Sequence, residues 1–89
     1  MPKVAKHILF TGRVQGVGFR FTAQTIAKRY ELAGYVRNTF DGKVEALAQG
    51  NSQNIEDFVR DLQETFSIQD TNIKGLPIDT KHNGFDIAF

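Results

Sequence analysis

Residues 12–20 have the sequence Gly-Arg-Val-Gln-Gly-Val-Gly-Phe-Arg, and across them the pattern of apolar residues changes from that of a strand to that of a helix. Before this stretch, the apolar run from Val4 to Thr11 predicts a central strand. After it, apolar residues recur at helical spacing from Phe19 to Tyr30. Glycine allows sharp turns and a close approach of the backbone to a ligand. The stretch therefore predicts a strand, a glycine loop and a helix in succession.

The middle of the chain predicts a hairpin followed by a second helix. Residues 34–38 predict a second strand, and residues 44–49 alternate as a strand that returns after an Asp41-Gly42 turn. Asn51, Ser52 and Asn54 are residue types that cap helices. Beyond them, one apolar stripe predicts a helix, and its members are Ile55, Phe58, Val59, Leu62 and Phe66.

The tail completes the predicted fold. Residues 70–74 indicate a strand, residues 75–83 a loop, and the alternation of Phe85, Ile87 and Phe89 a last strand. The order is β-α-β-β-α-β with one extra strand. It predicts an α+β, ferredoxin-like sandwich in which one antiparallel sheet carries two helices on one face. With 89 residues and no linker or repeat, residues 1–89 are expected to form a single domain.

Composition excludes several classes of partner and site. A net charge of +1 gives no general attraction to nucleic acid or to anionic membranes. The chain has no cysteine, which excludes disulfides and thiolate zinc sites and fits a reducing compartment. The longest apolar run is too short to cross a membrane or to act as a signal segment. We therefore expect a cytoplasmic monomer that binds neither nucleic acid nor membrane.

The predicted topology brings two distant segments to one corner. The first and second strands run parallel with the third between them, so their carboxyl ends lie at the same edge of the sheet. The glycine loop leaves the first strand there, and Asn38 ends the second. The first helix has only Gly18 at its cap position, so its free N–H groups favour an anion. Arg20 adds a charged fork that suits phosphate oxygens.

Each of these features has a plainer explanation from local sequence. The glycines at 16 and 18 could serve only a tight turn, and Arg20, like Arg13, could pair with a surface carboxylate. Asn38 could bond to its own backbone beside the turn. His7 and His82 are expected to be packing or surface residues, so no metal site is predicted. The acidic residues of the second helix are expected to form a solvated face, at Glu56, Asp57, Asp61 and Glu64.

The residues of the loop limit the reaction that it could support. Residues 12–20 contain no Ser, Cys, Asp, Glu or His, so they offer no covalent nucleophile and no group that titrates near neutral pH. Cleavage of an alkyl phosphate needs help for a poor leaving group. A mixed anhydride of phosphate and a carboxylic acid needs much less, because the carboxylate that leaves is stable. Positioning and charge stabilisation suffice for such a bond.

Residues 12–20, together with Leu-Ala-Gly-Tyr-Val-Arg-Asn at 32–38 and Asp-Gly-Lys-Val-Glu at 41–45, closely resemble the acylphosphatases. The resemblance implies hydrolysis of acyl phosphates to a carboxylate and inorganic phosphate, without metal or cofactor. It implies that Arg20 binds the phosphate, that Asn38 orients the attacking water and that Thr39 supports the site. The phosphate cradle would be the backbone of Gln15, Gly16, Val17, Gly18 and Phe19.

Two other functions stay open. The first is a non-catalytic module that binds phosphate or carbamoyl phosphate, since related domains occur within larger carbamoyl-transferring proteins. The second is RNA binding, because RNA-recognition domains share this strand order. Their aromatic base-stacking pattern does not match residues 13–19, and the balanced charge argues against it as well.

Overall fold

The computed structural model describes residues 3–16 and 18–89. They form five strands and two helices. In chain order these are β1 (Lys3–Gly12), α1 (Phe19–Arg29), β2 (Ala33–Asn38), β3 (Val44–Asn51), α2 (Ser52–Thr65), β4 (Ile68–Leu76) and β5 (Phe85–Ile87). No helix within these ranges is long and apolar enough to cross a membrane.

The sheet has the order β4-β1-β3-β2-β5. β3 lies antiparallel to both β1 and β2, so β1 and β2 run parallel with their carboxyl ends at one edge. β4 is antiparallel to β1, whereas β5 is parallel to β2. The α+β, ferredoxin-like prediction is confirmed, and the parallel β5 makes the sheet mixed. The short strand β5 pairs with the outer edge of β2. The chain reaches that edge through the loop that follows β4.

Both helices pack on one face of the sheet. Alternate residues of β1 and β3 are buried there, among them Ile8, Phe10 and Ala46. Four members of the predicted apolar stripe are buried in α2, namely Ile55, Phe58, Val59 and Leu62, whereas Phe66 follows the helix as its C-cap and is half-buried. Phe19 at the start of α1 packs against Phe10, with ring centroids 5.2 Å apart. The start of α1 is therefore anchored in the core beside the end of β1.

The ends of the helices differ. The side chain of Asn51 caps α2, accepting a hydrogen bond of 2.8 Å from the backbone N–H of Gln53, as its residue type predicts. Gly18 stands at the N-cap of α1 and provides no side-chain cap. The first N–H groups of α1 therefore lack the acceptor that a side-chain cap would supply.

The tail differs from the sequence prediction in its boundaries. β4 extends over Ile68–Leu76 rather than residues 70–74, so Gly75 and Leu76 lie in the strand and not in a loop. The longer strand pairs with β1 from Ala5 to Gly12. β5 ends at Ile87, and Phe89 lies beyond it. Backbone pairing between strands sets these strand ends. Because β4 is mostly exposed, its sequence has little apolar pattern from which its ends could be predicted.

Candidate active site

A cavity of about 200 Å³ lies where β1 and β2 end and α1 begins. The described residues that line it come from the glycine loop, the first turn of α1, the end of β2 and the end of the chain. They are Val14, Gly16, Gly18, Phe19, Arg20, Phe21, Asn38, Ile87 and Phe89. The cavity thus brings together the two segments that the topology was expected to bring together.

The glycine loop owes its shape to backbone conformation. Gly16 and Gly18 have φ values of 75° and 76°, in the left-handed region that favours glycine. A Cβ atom at either position would meet no atom within 4 Å, so crowding is not the reason for glycine there. Both residues are exposed and face open space at the start of α1. At Gly16 and Gly18 the loop therefore presents backbone to the cavity without a Cβ atom.

Arg20 lies half-buried at one side of the cavity. Its Nη1 donates a long hydrogen bond of 3.4 Å to the carbonyl oxygen of Ala88. Its Cζ lies 5.0 Å from the centroid of the Phe89 ring, within the range of a cation–π contact. Within residues 3–16 and 18–89, the salt bridges found do not include Arg20. The guanidinium is therefore held by one weak hydrogen bond and one aromatic face, with donors left for a ligand.

Asn38 is the last residue of β2 and pairs with Val44 of β3. Its half-buried side chain lines the cavity opposite the start of α1. Among the described residues, no side-chain hydrogen bond includes the Asn38 amide. The bond from Asn38 to its own backbone, which the local sequence suggested, is therefore not formed there. An amide carries both donors and an acceptor, which is what the orientation of a water molecule needs.

The Gln15 side chain ties the glycine loop to the turn between β2 and β3. Its Nε2 donates hydrogen bonds to the carbonyl oxygens of Thr39, at 2.8 Å, and Lys43, at 2.7 Å. Thr39 in turn closes that turn: its N–H donates to the Lys43 carbonyl at 2.8 Å. The Thr39 hydroxyl contacts the Asp41 carboxylate and lowers the pKa of that group. Gln15 and Thr39 thus hold the two sides of the cavity together.

The predicted site residues separate into two groups. Gly16, Gly18, Phe19, Arg20 and Asn38 line the cavity. Gln15 and Thr39 stand behind it and connect the loop to the hairpin. Val17, predicted as part of the phosphate cradle, lies outside the described residues.

Sequence reasoning missed four residues that line the cavity, namely Val14, Phe21, Ile87 and Phe89. Val14 is buried below the loop. Ile87 and Phe89 reach the cavity because β5 lies parallel to β2, with Val36 opposite Ile87. The prediction of an antiparallel sheet gave no reason to place them there. The alternation of Phe85, Ile87 and Phe89 was the one available signal.

The histidines and most carboxylates lie away from the cavity. On the open face of the sheet, His7 Nε2 lies 2.8 Å from Glu45, which also pairs with Arg37. Partial burial acts to raise the pKa of Glu45, but the hydrogen bonds from His7 and Arg37 outweigh it and leave that pKa below its ordinary value. Across the described ranges, no three His, Asp or Glu side chains lie together as a group that could hold a metal ion.

Comparison with known proteins gives one consistent result. The family model for acylphosphatase matches residues 6–87. A curated acylphosphatase of Bacillus velezensis is 38% identical over 76 residues, covering 85% of this chain and 82% of that protein. The crystal structure of the Bacillus subtilis acylphosphatase superposes with a TM-score of 0.90 at 35% identity, covering 97% of this chain and 99% of that one.

A much larger protein contains a similar unit. The structure of full-length HypF in its phosphate- and nucleotide-bound form matches with a TM-score of 0.87 at 28% identity. The match covers 99% of this chain but only 12% of HypF.

Proposed function

The chain belongs to the acylphosphatase family of enzymes, and we propose that it hydrolyses acyl phosphates by direct attack of water, without metal or cofactor. In this proposal Arg20 and the backbone of the 15–19 loop hold the phosphoryl oxygens. Asn38 orients the water, and Gln15 and Thr39 fix the loop against the hairpin. The substrates are small acyl phosphates, and the products are a carboxylate and inorganic phosphate.

The reaction needs little chemistry from the protein. The water oxygen attacks phosphorus in line with the acyl oxygen, the bond between phosphorus and that oxygen breaks, and the carboxylate leaves with the electron pair. The proton of the water passes to the phosphate itself. Charge on the peripheral oxygens of the loose transition state is met by the guanidinium and by the N–H groups at the start of α1. No side chain has to titrate near neutral pH.

One observation carries the proposal. A single cavity is lined by the exposed backbone of Gly16 and Gly18, by Arg20, and by Asn38 from a separate strand. Cationic and N–H donors on one side can hold an anion, and an amide on the other side can hold a water molecule. An anion site alone would not require the amide.

The test is hydrolysis of benzoyl phosphate by the purified protein with EDTA present, beside p-nitrophenyl phosphate as the unactivated control. We expect rapid turnover of benzoyl phosphate alone. Turnover that stops when EDTA is added would contradict the metal-free reaction. Comparable turnover of both compounds would contradict the preference for activated phosphates.

A second candidate is a binding module without catalysis. The HypF match favours it to the extent that a unit of this fold forms 12% of a larger protein. Binding of inorganic phosphate, measured by calorimetry, with no turnover of benzoyl phosphate would support this candidate over the enzyme.

The proposal includes a monomeric state and a cytoplasmic location. The absence of cysteine from the sequence fits a reducing compartment. Light scattering at micromolar concentration tests the first, and fractionation of cells that express the protein tests the second.

A further inference from the structure

Two large aromatic side chains stand exposed at the mouth of the cavity. Phe21 is 70% exposed and Phe89 is fully exposed, although both line the cavity. Four of the eight phenylalanines behave differently, since Phe10, Phe19, Phe58 and Phe85 are buried in the core. A ring left in water contributes little to folding, because its apolar surface is not removed from the solvent. Their position beside the cavity therefore calls for an explanation in terms of ligand binding.

The backbone holds both rings next to the groups that face the phosphate. Phe21 follows Arg20 directly in the first turn of α1. Phe89 follows β5, whose end is tied to β2 by a hydrogen bond of 2.9 Å from the Ala88 N–H to the Val36 carbonyl. A second tie runs from the Gln24 side chain to the Phe85 carbonyl, also at 2.9 Å. Phe21 is thus placed by α1, and Phe89 directly follows the residue whose N–H bonds to β2.

The lining of the cavity holds both kinds of group that an acyl phosphate would contact. Its polar members are the glycine backbone, Arg20 and Asn38, and its apolar members are Val14, Phe19, Ile87 and the two exposed rings. An acyl phosphate joins a charged phosphoryl group to an uncharged acyl group. Because the centroid of the Phe89 ring lies 5.0 Å from the Arg20 Cζ, a phosphoryl group held by Arg20 leaves the acyl group beside that ring. Ligand sites commonly combine a few polar anchors with apolar walls in this manner.

We propose that Phe21 and Phe89 form the subsite for the acyl group, and that the preferred substrates carry an apolar, planar acyl group of the aromatic type. This inference rests on the proposed function and adds the substrate class to it. A flat acyl group gains contact with the ring faces and leaves water. A short acyl group such as acetyl reaches neither ring, so it gains nothing from them.

The test compares kcat/KM for benzoyl phosphate and for acetyl phosphate in the wild type, Phe21→Ala and Phe89→Ala. We expect the ratio of benzoyl to acetyl phosphate to fall about tenfold in each variant, as the loss of an aromatic contact implies. The matched control is Phe40→Ala. Phe40, in the turn after β2, is fully exposed like Phe89 but does not line the cavity, so the Phe40→Ala variant should keep the wild-type ratio.

The ratio separates the acyl subsite from an effect on Arg20. Because Phe89 also contacts Arg20, its loss can slow both substrates, whereas only the loss of an acyl contact changes their ratio. A ratio unchanged in both variants, while the wild type hydrolyses both substrates, would overturn the subsite alone. A wild type that hydrolyses neither substrate would overturn the proposed function and the subsite with it.

Discussion

The side-chain amide of Gln15 donates a hydrogen bond of 2.8 Å to the backbone carbonyl of Thr39, and so joins the glycine loop to the turn that follows Asn38. The two sides of the cavity come from segments separated by a helix, and this bond connects them directly behind the site. A site that acts by positioning depends on such support, because its donors must already be in place when charge develops.

We predict that Gln15→Ala lowers both stability and catalysis. Loss of two hydrogen bonds to backbone carbonyls should cost about 1–3 kcal/mol in the free energy of unfolding. The loosened loop should reduce kcat/KM for benzoyl phosphate by about 10- to 100-fold, since small displacements are costly at a positioned site. Urea unfolding and steady-state kinetics measure the two effects. Gln69→Ala, at an exposed position of β4, is the control. Reduced stability with unchanged kcat/KM would show that Gln15 does not position the site.

Asn38→Ala should separate the binding of phosphate from the orientation of water. We expect kcat for benzoyl phosphate to fall by about 100- to 1000-fold, in the range found when one preorganised donor is removed. The inhibition constant of inorganic phosphate should stay nearly unchanged, because the proposal assigns the anion to Arg20 and the loop backbone and not to the Asn38 amide. Asn72→Ala, on the exposed part of β4, is the matched control. A large loss of phosphate affinity in Asn38→Ala would assign the amide to anion binding instead.

The Glu45 carboxylate, which lies away from the cavity, predicts that the stability of the protein decreases at acid pH. Partial burial opposes its ionisation, but hydrogen bonds from His7 and Arg37 leave its folded-state pKa below the ordinary value of 4.5. Its stabilising contribution is therefore present above about pH 4.5 and is lost as the pH falls through the lowered folded-state pKa. The melting temperature of the wild type should fall more steeply below pH 4.5 than that of Glu45→Gln. Parallel curves for the two proteins would refute this assignment.

The sequence predicted the elements that carry strong periodicity. The buried stripe of α2 and the Asn51 cap each have a local cause, and each is present in the structure. The alternation predicted for β3 is not seen in its burial, because residues 46–50 are all buried and Gln49 bonds to Asp79 of the loop after β4. The presence of Arg20 and Asn38 in one cavity was also predicted, because strand order alone places the ends of β1 and β2 at one edge. These features depend on residue type and spacing, which a sequence displays directly.

What the sequence did not predict depends on pairing between distant strands. The full length of β4 is set by its register with β1. Its mostly exposed residues show little alternation of apolar and polar types from which that length could be predicted. The parallel contact of β5 with β2 brings Ile87 and Phe89 to the cavity, and no local pattern specifies the neighbour of a strand. The role of the Gln15 side chain was missed for the same reason, since its partners lie in the hairpin.

The central claim is that Arg20 holds the phosphoryl group through the reaction. The most direct test is kcat/KM for benzoyl phosphate in Arg20→Gln beside Arg13→Gln, which removes an exposed arginine of the same loop that does not line the cavity. Circular dichroism confirms that both variants are folded. We predict a loss of at least about 100- to 1000-fold for Arg20→Gln, as for the removal of an oxyanion donor, and near wild-type activity for Arg13→Gln. Near-normal turnover by a folded Arg20→Gln variant would contradict the account.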